Sequence, residues 1–375
     1  MRENTLGSYL KSDVEVLLKE IDIKETSVSK KEKEIQNKSS HYSEMISPEY
    51  VPSDDYIKVF HNAMNLNKRK VAENIIQLSN YISKNNKSPI IVSLARAGTP
   101  IGVLLHRTLR DEYQLSPAHY TISIIRDKEI DENALNYILK KESQRLGKPI
   151  KEVSKYIIFV DGWTGKGVIN RELTRYISNF NMKIGTNISS DLYVLADISG
   201  KAEVSATQED YLIPSAALNS TVSGLISRSI LNKKFIGKND FHGCKYYKEF
   251  EKNDLSLWYI EEIMKEVKII EKDDFHFIKN DVSKNFILSE KVDKLLKDIG
   301  EKYNINDINH IKPGVGETTR VLLRRVPEII ILRNLESIET KHILKLANEK
   351  GATVIEDKNL LYSSVGIIKS LKEEQ

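Results

Sequence analysis

The feature that most constrains the fold is a change from an apolar run to a glycine-rich turn within residues 156–173. Residues 156–160 have the sequence Tyr-Ile-Ile-Phe-Val, which is typical of a strand buried on both faces of a parallel sheet. Asp161 ends this run, and the Thr-Gly-Lys-Gly turn at 164–167 leads into a predicted helix. Ligands bind at the carboxyl ends of the strands in open α/β sheets. The sequence therefore predicts a ligand site at this turn.

The turn at 164–167 carries groups that suit a phosphate. Its two glycines let the main chain approach an anion closely, and the N–H groups at a helix start form an anion-binding nest. Thr164 and Lys166 add a hydroxyl donor and a positive charge. The spacing fits neither a Walker A loop nor a dinucleotide fingerprint, which would need glycine at Asn170. The alternative is a strand–turn–helix connection that binds no ligand.

Three further apolar segments, at 89–94, 120–125 and 192–196, are predicted strands that end in polar residues. Strands that alternate with helical segments favour a doubly wound parallel sheet over an α+β arrangement. The fold class is therefore predicted as α/β, with a second, smaller C-terminal α/β domain. The polar residues that follow these strands are Arg96, Arg126, Lys128 and Asp197.

Two of these strand ends have an alternative interpretation. A guanidinium at Arg96 suits bidentate capture of phosphate oxygens, but Gly98 and Gly102 also allow a helix to pack closely on a strand. Arg126 and Lys128 are candidates to lie over a bound anion, and they fit the tip of a charged hairpin equally well. Both alternatives stay open from the sequence.

Two other regions matter for the fold and the site. Helical spacing predicts a first helix from residue 12 to about 20, and two helices between residues 54 and 84. Residues 211–231 are dense in small and hydroxylated side chains, where Asn219, Ser220, Ser223 and Arg228 are candidates to hydrogen-bond a polar acceptor substrate. A helix that packs closely through its small residues explains the same composition.

Composition excludes several classes of protein. The 57 basic and 53 acidic residues leave a net charge of +4, so any nucleic-acid binding requires a local patch. A single cysteine excludes an intrachain disulfide framework and a cysteine-rich zinc site. No apolar run approaches the roughly 18 residues of a membrane helix, and the N-terminus lacks a signal-peptide pattern. We therefore expect a cytoplasmic protein without a membrane contact.

The chain changes character after residue 265, where lysine, glutamate and aspartate dominate with scattered isoleucine. A smaller unit follows, in which a glycine turn at 312–317 opens a helix. Strand and helix patterns then alternate. The predicted divisions are a helical lead-in at 1–52, a main domain at 53–265, a linker at 266–300 and a C-terminal α/β domain at 301–375.

Seven short strings are more specific than any single turn, and they lie at residues 7–9, 41–45, 93–102, 124–127, 160–167, 213–216 and 241–243. Together they resemble a phosphoribosyltransferase-like family from tellurite-resistance and stress-response gene clusters. The resemblance covers roughly residues 7 to 265. The same family also carries the label cysteine protease StiP.

The resemblance implies that a sugar phosphate, phosphoribosyl pyrophosphate (PRPP) or a relative, binds with magnesium and that its ribosyl phosphate is transferred to an unknown acceptor. Asp161 would bind the ribose hydroxyls, and Arg126 and Lys128 would stabilise the charge that develops on pyrophosphate. The family usually has two adjacent acidic residues where this chain has Asp161 alone, so a non-catalytic nucleotide-sugar sensor is the alternative. The implied substrate-binding residues are Arg96, Ala97 and Gly98 for the pyrophosphate, and Thr164, Gly165, Lys166 and Gly167 for the 5-phosphate. Asp197, which follows a predicted strand, and Asn219 and Ser220 of the polar segment are further candidates to bind the substrate.

The C-terminal unit resembles the Pelota-type RNA-binding domain that accompanies this family. Lys312, Arg320, Arg324 and Arg325 surround its glycine turn or share about one helical face, so they are candidates to contact the phosphates of structured RNA. Basic and acidic residues are nearly equal in number in this unit. RNA is therefore predicted as a possible partner.

The protease label requires a thiol nucleophile, and Cys244 is the only cysteine. Its base would be His242, His41, His61, His106 or His119. His242 is only two positions away, whereas the partner of a catalytic cysteine normally comes from a distant part of the chain. A lone packed cysteine is the commoner case. Proteolysis through Cys244 is therefore the second alternative.

Overall fold

The structure is a computed structural model that describes residues 6–27, 31, 34, 40–271 and 282–368. These residues form a larger α/β domain and a smaller C-terminal one that contact each other. The strands of the larger domain are β1 (Glu15–Val16), β2 (Lys19–Glu20), β3 (Ile90–Leu94), β4 (Ala118–Ile122), β5 (Ile124–Ile125), β6 (Glu129–Ile130), β7 (Ile157–Thr164), β8 (Leu192–Asp197), β9 (Val204–Thr207) and β10 (Gly243–Cys244). Its helices are α1 (Asp54–Asn85), α2 (Gly98–Asp111), α3 (Glu132–Leu146), α4 (Ile150–Val153), α5 (Val168–Ile184) and α6 (Ser256–Ile269).

The larger domain is built on a six-stranded sheet with the order β1-β4-β3-β7-β8-β9, in which all neighbours are parallel. Alternate residues of β7 face opposite sides of this sheet. Ile158 and Val160 pack in the core that contains α1, α2 and α6, whereas Ile157 and Phe159 pack in the core that contains α3 and α5. Helices therefore cover both faces, and the predicted doubly wound α/β fold is confirmed.

The predicted helix from residue 12 to about 20 is wrong, because this segment forms the two short strands β1 and β2. The first pairs with β4 at the edge of the main sheet, and the second pairs with β10. Leu17 packs in one core and Leu18 in the other. Burial toward both cores explains an apolar spacing that resembles the spacing of a helix.

Two other regions differ from the sequence prediction. The two helices predicted between residues 54 and 84 are one helix, α1, which spans 32 residues. Its sequence contains neither glycine nor proline, so nothing interrupts it. The region at 211–231 contains the 3-10 turns Pro214–Ala216 and Ser220–Val222 instead of a packed α-helix.

The C-terminal domain has a mixed four-stranded sheet with the order β11-β14-β12-β13. Its elements are α7 (Val282–Lys302), β11 (Ile311–Pro313), α8 (Val315–Arg324), β12 (Pro327–Leu332), α9 (Lys341–Glu349), β13 (Thr353–Glu356) and β14 (Ser364–Ile368). The helix α7 lies mostly within the segment interpreted as a linker, and its Val292 and Leu296 pack with Ile311 and Ile367. The helix α8 begins after Gly314, whose φ is 92°, so the helix predicted at this glycine turn is confirmed.

None of the described helices has the length and apolar character that crossing a membrane requires.

Candidate functional site

The turn after β3 is closed by an ion pair within the first domain. Arg96 Nη1 lies 2.7 Å from Glu49 Oε1, and both side chains are largely buried. The guanidinium also donates to the carbonyl oxygen of Ile226 at 2.9 Å and to Asn219 Oδ1 at 3.3 Å. The backbone N–H of Ser220 donates to the Glu49 carboxylate at 3.3 Å. The structure thus brings Arg96, Asn219 and Ser220 together around a carboxylate of the protein itself.

The small residues of this turn serve packing. A Cβ atom added at Gly98 would overlap the carbonyl oxygen of Val160, and one added at Gly102 would overlap the hydroxyl of Ser93. Ala97 directly precedes α2. These contacts support the alternative in which the glycines allow α2 to approach the sheet closely.

A hydrogen bond between the first and last residues of the turn after β7 stabilises that turn. The backbone N–H of Gly167 donates to Thr164 Oγ1 at 3.1 Å. Gly167 has a φ of 69° and directly precedes α5, a left-handed conformation that glycine adopts without strain. The threonine hydroxyl predicted to bind a phosphate is therefore an acceptor inside the turn.

The C-terminal domain lies directly against this turn. The hydroxyl of Tyr362 donates to the carbonyl oxygen of Gly165 at 2.9 Å. Lys166 Nζ donates to the carbonyl oxygens of Ile308 and Ile311, both at 3.0 Å. Burial lowers the pKa of Lys166 to about 8, and the positive charges of Lys312 and Arg126 contribute to the lowering. Groups of the turn are thus used for contact between domains.

Asp161 is covered by the same domain contact. Burial raises the pKa of its carboxyl to about 6, while the N–H of Gly162, which donates to it at 2.7 Å, and the charge of Arg320 oppose that rise. The Arg320 guanidinium lies 4.5 Å from the centre of the Trp163 ring, which is within the range of a cation–π contact. Asp161 is therefore placed near a strand end, as expected, but close to α8 of the other domain.

Asp197 closes the loop between β8 and β9. Its carboxylate accepts hydrogen bonds from the N–H and the hydroxyl of Ser199, at 2.9 and 2.8 Å, and from the N–H of Ala202 at 2.8 Å. The side chain is fully buried. The structure gives this residue a role in its own loop, and β8 places it opposite Thr164 of β7.

Arg126 and Lys128 lie on a hairpin, because β5 and β6 pair antiparallel. Arg126 Nε contacts the carboxylate of Asp127 at 3.0 Å, and its Nη1 donates to Asn309 Oδ1 of the C-terminal domain at 3.1 Å. Lys128 is exposed at the tip. This placement agrees with the charged-hairpin alternative.

The arginines predicted to bind RNA divide into two groups. Arg320 Nε donates to the carbonyl oxygen of Ala216 at 3.1 Å, and Arg324 donates to that of Ala217 at 3.4 Å. Burial lowers the pKa of Arg324 to about 9. Arg325 is exposed and Lys312 is half-buried. The helical face predicted for RNA therefore packs on the first domain, and its neighbours Arg325 and Lys312 lie nearer the surface.

Cys244 lies in β10 and is fully buried. The strand β2 pairs with it through Glu20. Burial raises the pKa of the thiol far above its ordinary value, so the neutral form dominates at physiological pH. Both ring nitrogens of His242 contact residues other than the cysteine: Nδ1 lies 2.8 Å from Ser123 Oγ, and Nε2 lies 3.3 Å from Glu129 Oε1.

The other predicted bases also have partners of their own. His41 Nδ1 lies 2.8 Å from Ser43 Oγ, and the His61 ring packs edge-on against Trp258 at 5.3 Å. His119 Nε2 lies 2.8 Å from Ser93 Oγ, and His106 stacks on His119. No histidine in the described part of the chain is hydrogen-bonded to the thiol.

The described strand ends carry no cluster of acidic side chains that would by itself hold the expected magnesium ion. The described ranges contain no group of three or more His, Cys, Asp or Glu side chains that could hold a metal ion. Asp161 is a single carboxylate, and the oxygens of Asp197 accept hydrogen bonds from its own loop. Magnesium also takes oxygen ligands from substrate phosphates, so this expectation depended on the sugar phosphate.

The fold and the site define a doubly wound α/β protein whose C-terminal domain covers the carboxyl edge of its sheet. Residues 7–264 match the family model described as tellurite-like stress resistance cysteine protease StiP, and residues 290–370 match the PELOTA RNA binding domain. The cysteine protease StiP of Acinetobacter baylyi is 33% identical over 390 residues, which cover 99% of this chain and 96% of that protein. The chain belongs to the StiP family.

Family membership confirms the resemblance to StiP and to a Pelota-type domain, and it corrects the predicted activity. The interpretation as a phosphoribosyltransferase, a glycosyltransferase that uses PRPP, is wrong, because the matched family and the relative are named as cysteine proteases. The structure supplies a physical reason for the error. The turns that suit phosphate are filled by Glu49, Tyr362 and the main chain of the C-terminal domain.

Sequence analysis missed the residues that join the two domains. Asp210 accepts hydrogen bonds from the backbone N–H groups of Val315 at 2.8 Å and Ser363 at 2.7 Å. Burial raises the pKa of this carboxyl to about 6. Its partners lie more than a hundred positions away in the chain, so no local pattern indicates them.

Proposed function

We propose that the chain is a cysteine peptidase of the stress-resistance type and that Cys244 is its nucleophile. Membership of the StiP family supports the activity. One observation supports the residue: Cys244 is the only cysteine in 375 residues and lies within the matched segment 7–264. Thiol chemistry therefore has no other source in this chain.

The described arrangement corresponds to a resting state in this proposal. The thiolate must attack the carbonyl carbon of a peptide bond, and the C–N bond then breaks as the amine leaves with a proton. Water finally hydrolyses the thioester. A buried thiol with a raised pKa cannot begin this sequence. The strand β2, whose Lys19 N–H donates to the carbonyl oxygen of His242 at 2.8 Å, must separate from β10 first.

The first experiment tests the nucleophile. Dye-labelled unfolded casein is incubated with the full chain, with Cys244→Ser and with Cys244→Ala, and circular dichroism confirms that each variant is folded. Cleavage by the unaltered chain alone supports the proposal. Cleavage by Cys244→Ala removes the thiol from the mechanism, and no cleavage by any form, with or without low concentrations of urea, overturns the peptidase activity.

A second experiment tests the covering strand. The variant Lys19→Pro lacks the N–H that pairs with His242, and it also loses the ion pair with Asp240 at 2.7 Å. The matched control Lys19→Ala loses the ion pair but keeps the N–H. We expect iodoacetamide to label Cys244 at least about tenfold faster in Lys19→Pro than in Lys19→Ala, since only the former loses a strand-pairing donor. Equal rates would show that β2 does not control access to the thiol.

We also propose RNA binding by the C-terminal domain as a second function. The match of residues 290–370 to the PELOTA RNA binding domain supports it, and Lys312 and Arg325 lie at or near its surface. Phosphate contacts release counterions, so binding should weaken steeply with salt and depend little on base sequence. Fluorescence anisotropy with labelled RNA between about 50 and about 200 mM salt tests this function.

A further inference from the structure

We propose that a group of basic side chains at the junction of the two domains binds the phosphates of an RNA strand. This group, the cationic seam, consists of Arg126, Lys166 and Arg228 from the first domain and Lys312 and Arg325 from the second. The inference rests on the RNA-binding function proposed above. It assigns the site to both domains, whereas the family match concerns the C-terminal domain alone.

Contacts across the junction bring three of these side chains to one short segment. Arg126 donates to Asn309 Oδ1 at 3.1 Å. Lys166 donates to the carbonyl oxygens of Ile308 and Ile311 at 3.0 Å. Lys312 follows directly in β11. Three cations therefore converge on residues 308–312.

Tyr42 connects Arg228 to this group. Its ring is within cation–π range of two guanidinium groups, with the central carbon of Arg126 at 5.8 Å and that of Arg228 at 5.4 Å from the ring centre. Arg228 is held there by the carbonyl oxygens of Tyr42 at 2.6 Å and Met45 at 2.7 Å. The first domain thus fixes two arginines beside one aromatic ring.

Much of this positive charge has no carboxylate partner at ion-pair distance. Lys166 and Arg228 donate to carbonyl oxygens, and the described residues show no hydrogen bond or ion pair for the Lys312 ammonium. Two of the nearby carboxylates have cationic partners, since Asp127 contacts Arg126 at 3.0 Å and Glu317 contacts Arg320 at 3.1 Å. A third, Asp307, accepts hydrogen bonds from Asn309 at 2.8 Å and acts on Lys166 and Lys312 only beyond ion-pair distance. The seam therefore carries an excess of positive charge that an anion would balance.

The electrostatics agree with this geometry. Burial lowers the pKa of Arg228 to about 10, and the charge of Arg325 adds to that effect. Burial also lowers the pKa of Lys312, and the charges of Arg325 and Arg126 add to that lowering while those of Glu317 and Asp307 oppose it. The cations thus repel one another across the junction, and a shared phosphate chain would stabilise them together.

An RNA strand fits this arrangement better than a single small anion. The cations come from five separate chain segments, and the charge reaches the surface at Arg325 and at the neighbouring hairpin residue Lys128. Grooves that bind single strands have this character, with repeated charge along the backbone and little base readout. Tyr42 already contacts two arginines, so we expect little dependence on base sequence.

The experiment measures by anisotropy the binding of a fluorescein-labelled RNA of mixed sequence, about 20 nucleotides long, to the full chain. The seam variants are Arg126→Glu in the first domain and Lys312→Glu in the second. The matched controls are Lys155→Glu and Lys358→Glu, which reverse an exposed charge in the same two domains. We expect each seam variant to weaken binding at least about tenfold and to reduce the salt slope by about one, with the controls within about twofold.

Three results would contradict this inference. If the unaltered chain does not bind the RNA, both this inference and the proposed RNA function fail. If it binds and the seam variants behave as the controls do, the RNA function stands and the seam is not its site. A dinucleotide that binds as tightly as the longer RNA would assign the seam to a small phosphate ligand and overturn the inference. Lys312→Gln, which removes charge without reversing it, guards against loss of folding and should weaken binding at least about threefold.

Discussion

The turns after β3 and β7 lie at the same edge of the sheet, and each contains a partly buried cation. The two cations differ in the kind of partner that they contact. Arg96 is paired with Glu49 at 2.7 Å inside its own domain. In the described part of the chain, Lys166 donates to two carbonyl oxygens of the other domain and has no carboxylate at ion-pair distance. Similar glycine-rich turns therefore need not share a ligand. A turn whose cation is paired with a carboxylate is structural, whereas a turn whose cation contacts only carbonyl oxygens can still attract an anion.

The largest effect should follow from breaking the Arg96 pair. Glu49→Gln leaves a guanidinium that is 17% exposed without its charge partner, and loss of one member of a buried pair costs about 3 kcal/mol. Urea unfolding at pH 7 measures the free energy of unfolding. The control Glu152→Gln removes a pair with Lys148 in which both side chains are well exposed, so it should have a far smaller effect. Equal effects would mean that burial does not strengthen the Arg96 pair.

The carboxyl of Asp161, in the strand β7 that leads into the second of these turns, should show its burial in the pH dependence of stability. The pKa of Asp161 is raised to about 6, against about 3.9 in an unfolded chain. Its contribution to stability is therefore fully present below about pH 4 and is lost as the pH rises through about 6. Asp161→Asn should lack this loss.

Urea unfolding of Asp161→Asn and the unaltered chain at pH 4 and pH 7.5 tests this prediction. We expect the variant to gain about 1 to 2 kcal/mol relative to the unaltered chain between these two values. Asp22→Asn, which changes an exposed carboxyl of the same domain, is the control. A constant difference at both pH values would show that Asp161 is not desolvated by the domain contact.

The sequence predicted the sheet well and the site only in part. Strands such as β3 and β7 are buried on both faces, so their apolar runs are long enough to detect. The strands β1 and β2 have two residues each, too few for any periodicity. The turn residues were found at the correct strand ends. The partners of these residues were not found, because Lys166 and Ile308 are 142 positions apart. No local sequence pattern indicates how two domains contact each other.

A smaller effect should come from the tyrosine that closes the β7 turn. The Tyr362 hydroxyl donates to the carbonyl oxygen of Gly165 at 2.9 Å, and its ring is buried. Tyr362→Phe keeps the ring and removes that bond, which should cost about 1 kcal/mol. Thermal or urea unfolding measures it, with Tyr303→Phe in the same domain as control. If both variants lose the same free energy of unfolding, the Tyr362 hydrogen bond does not stabilise the domain contact.

The smallest change in stability at pH 7 should follow from Lys166→Met, because two effects oppose each other. The variant loses two hydrogen bonds to carbonyl oxygens. It also removes a charge that burial desolvates and that Lys312 and Arg126 repel. We expect a net change under about 1 kcal/mol at pH 7. A loss of several kcal/mol would mean that Lys166 is held as firmly as Arg96.

The pH dependence separates these two effects at Lys166. Its pKa is about 8 in the folded chain and about 10.4 in an unfolded one, so the unfolded chain holds more protons between these values. The unaltered chain should therefore gain stability as the pH rises from about 8 toward 10, and Lys166→Met should lack that gain. Urea unfolding at pH 7 and pH 10 measures the difference, with Lys155→Met as the exposed control. If the free energies of unfolding of the unaltered chain and of Lys166→Met change equally between these pH values, the ammonium is not desolvated. Lys166 would then behave as a surface lysine does.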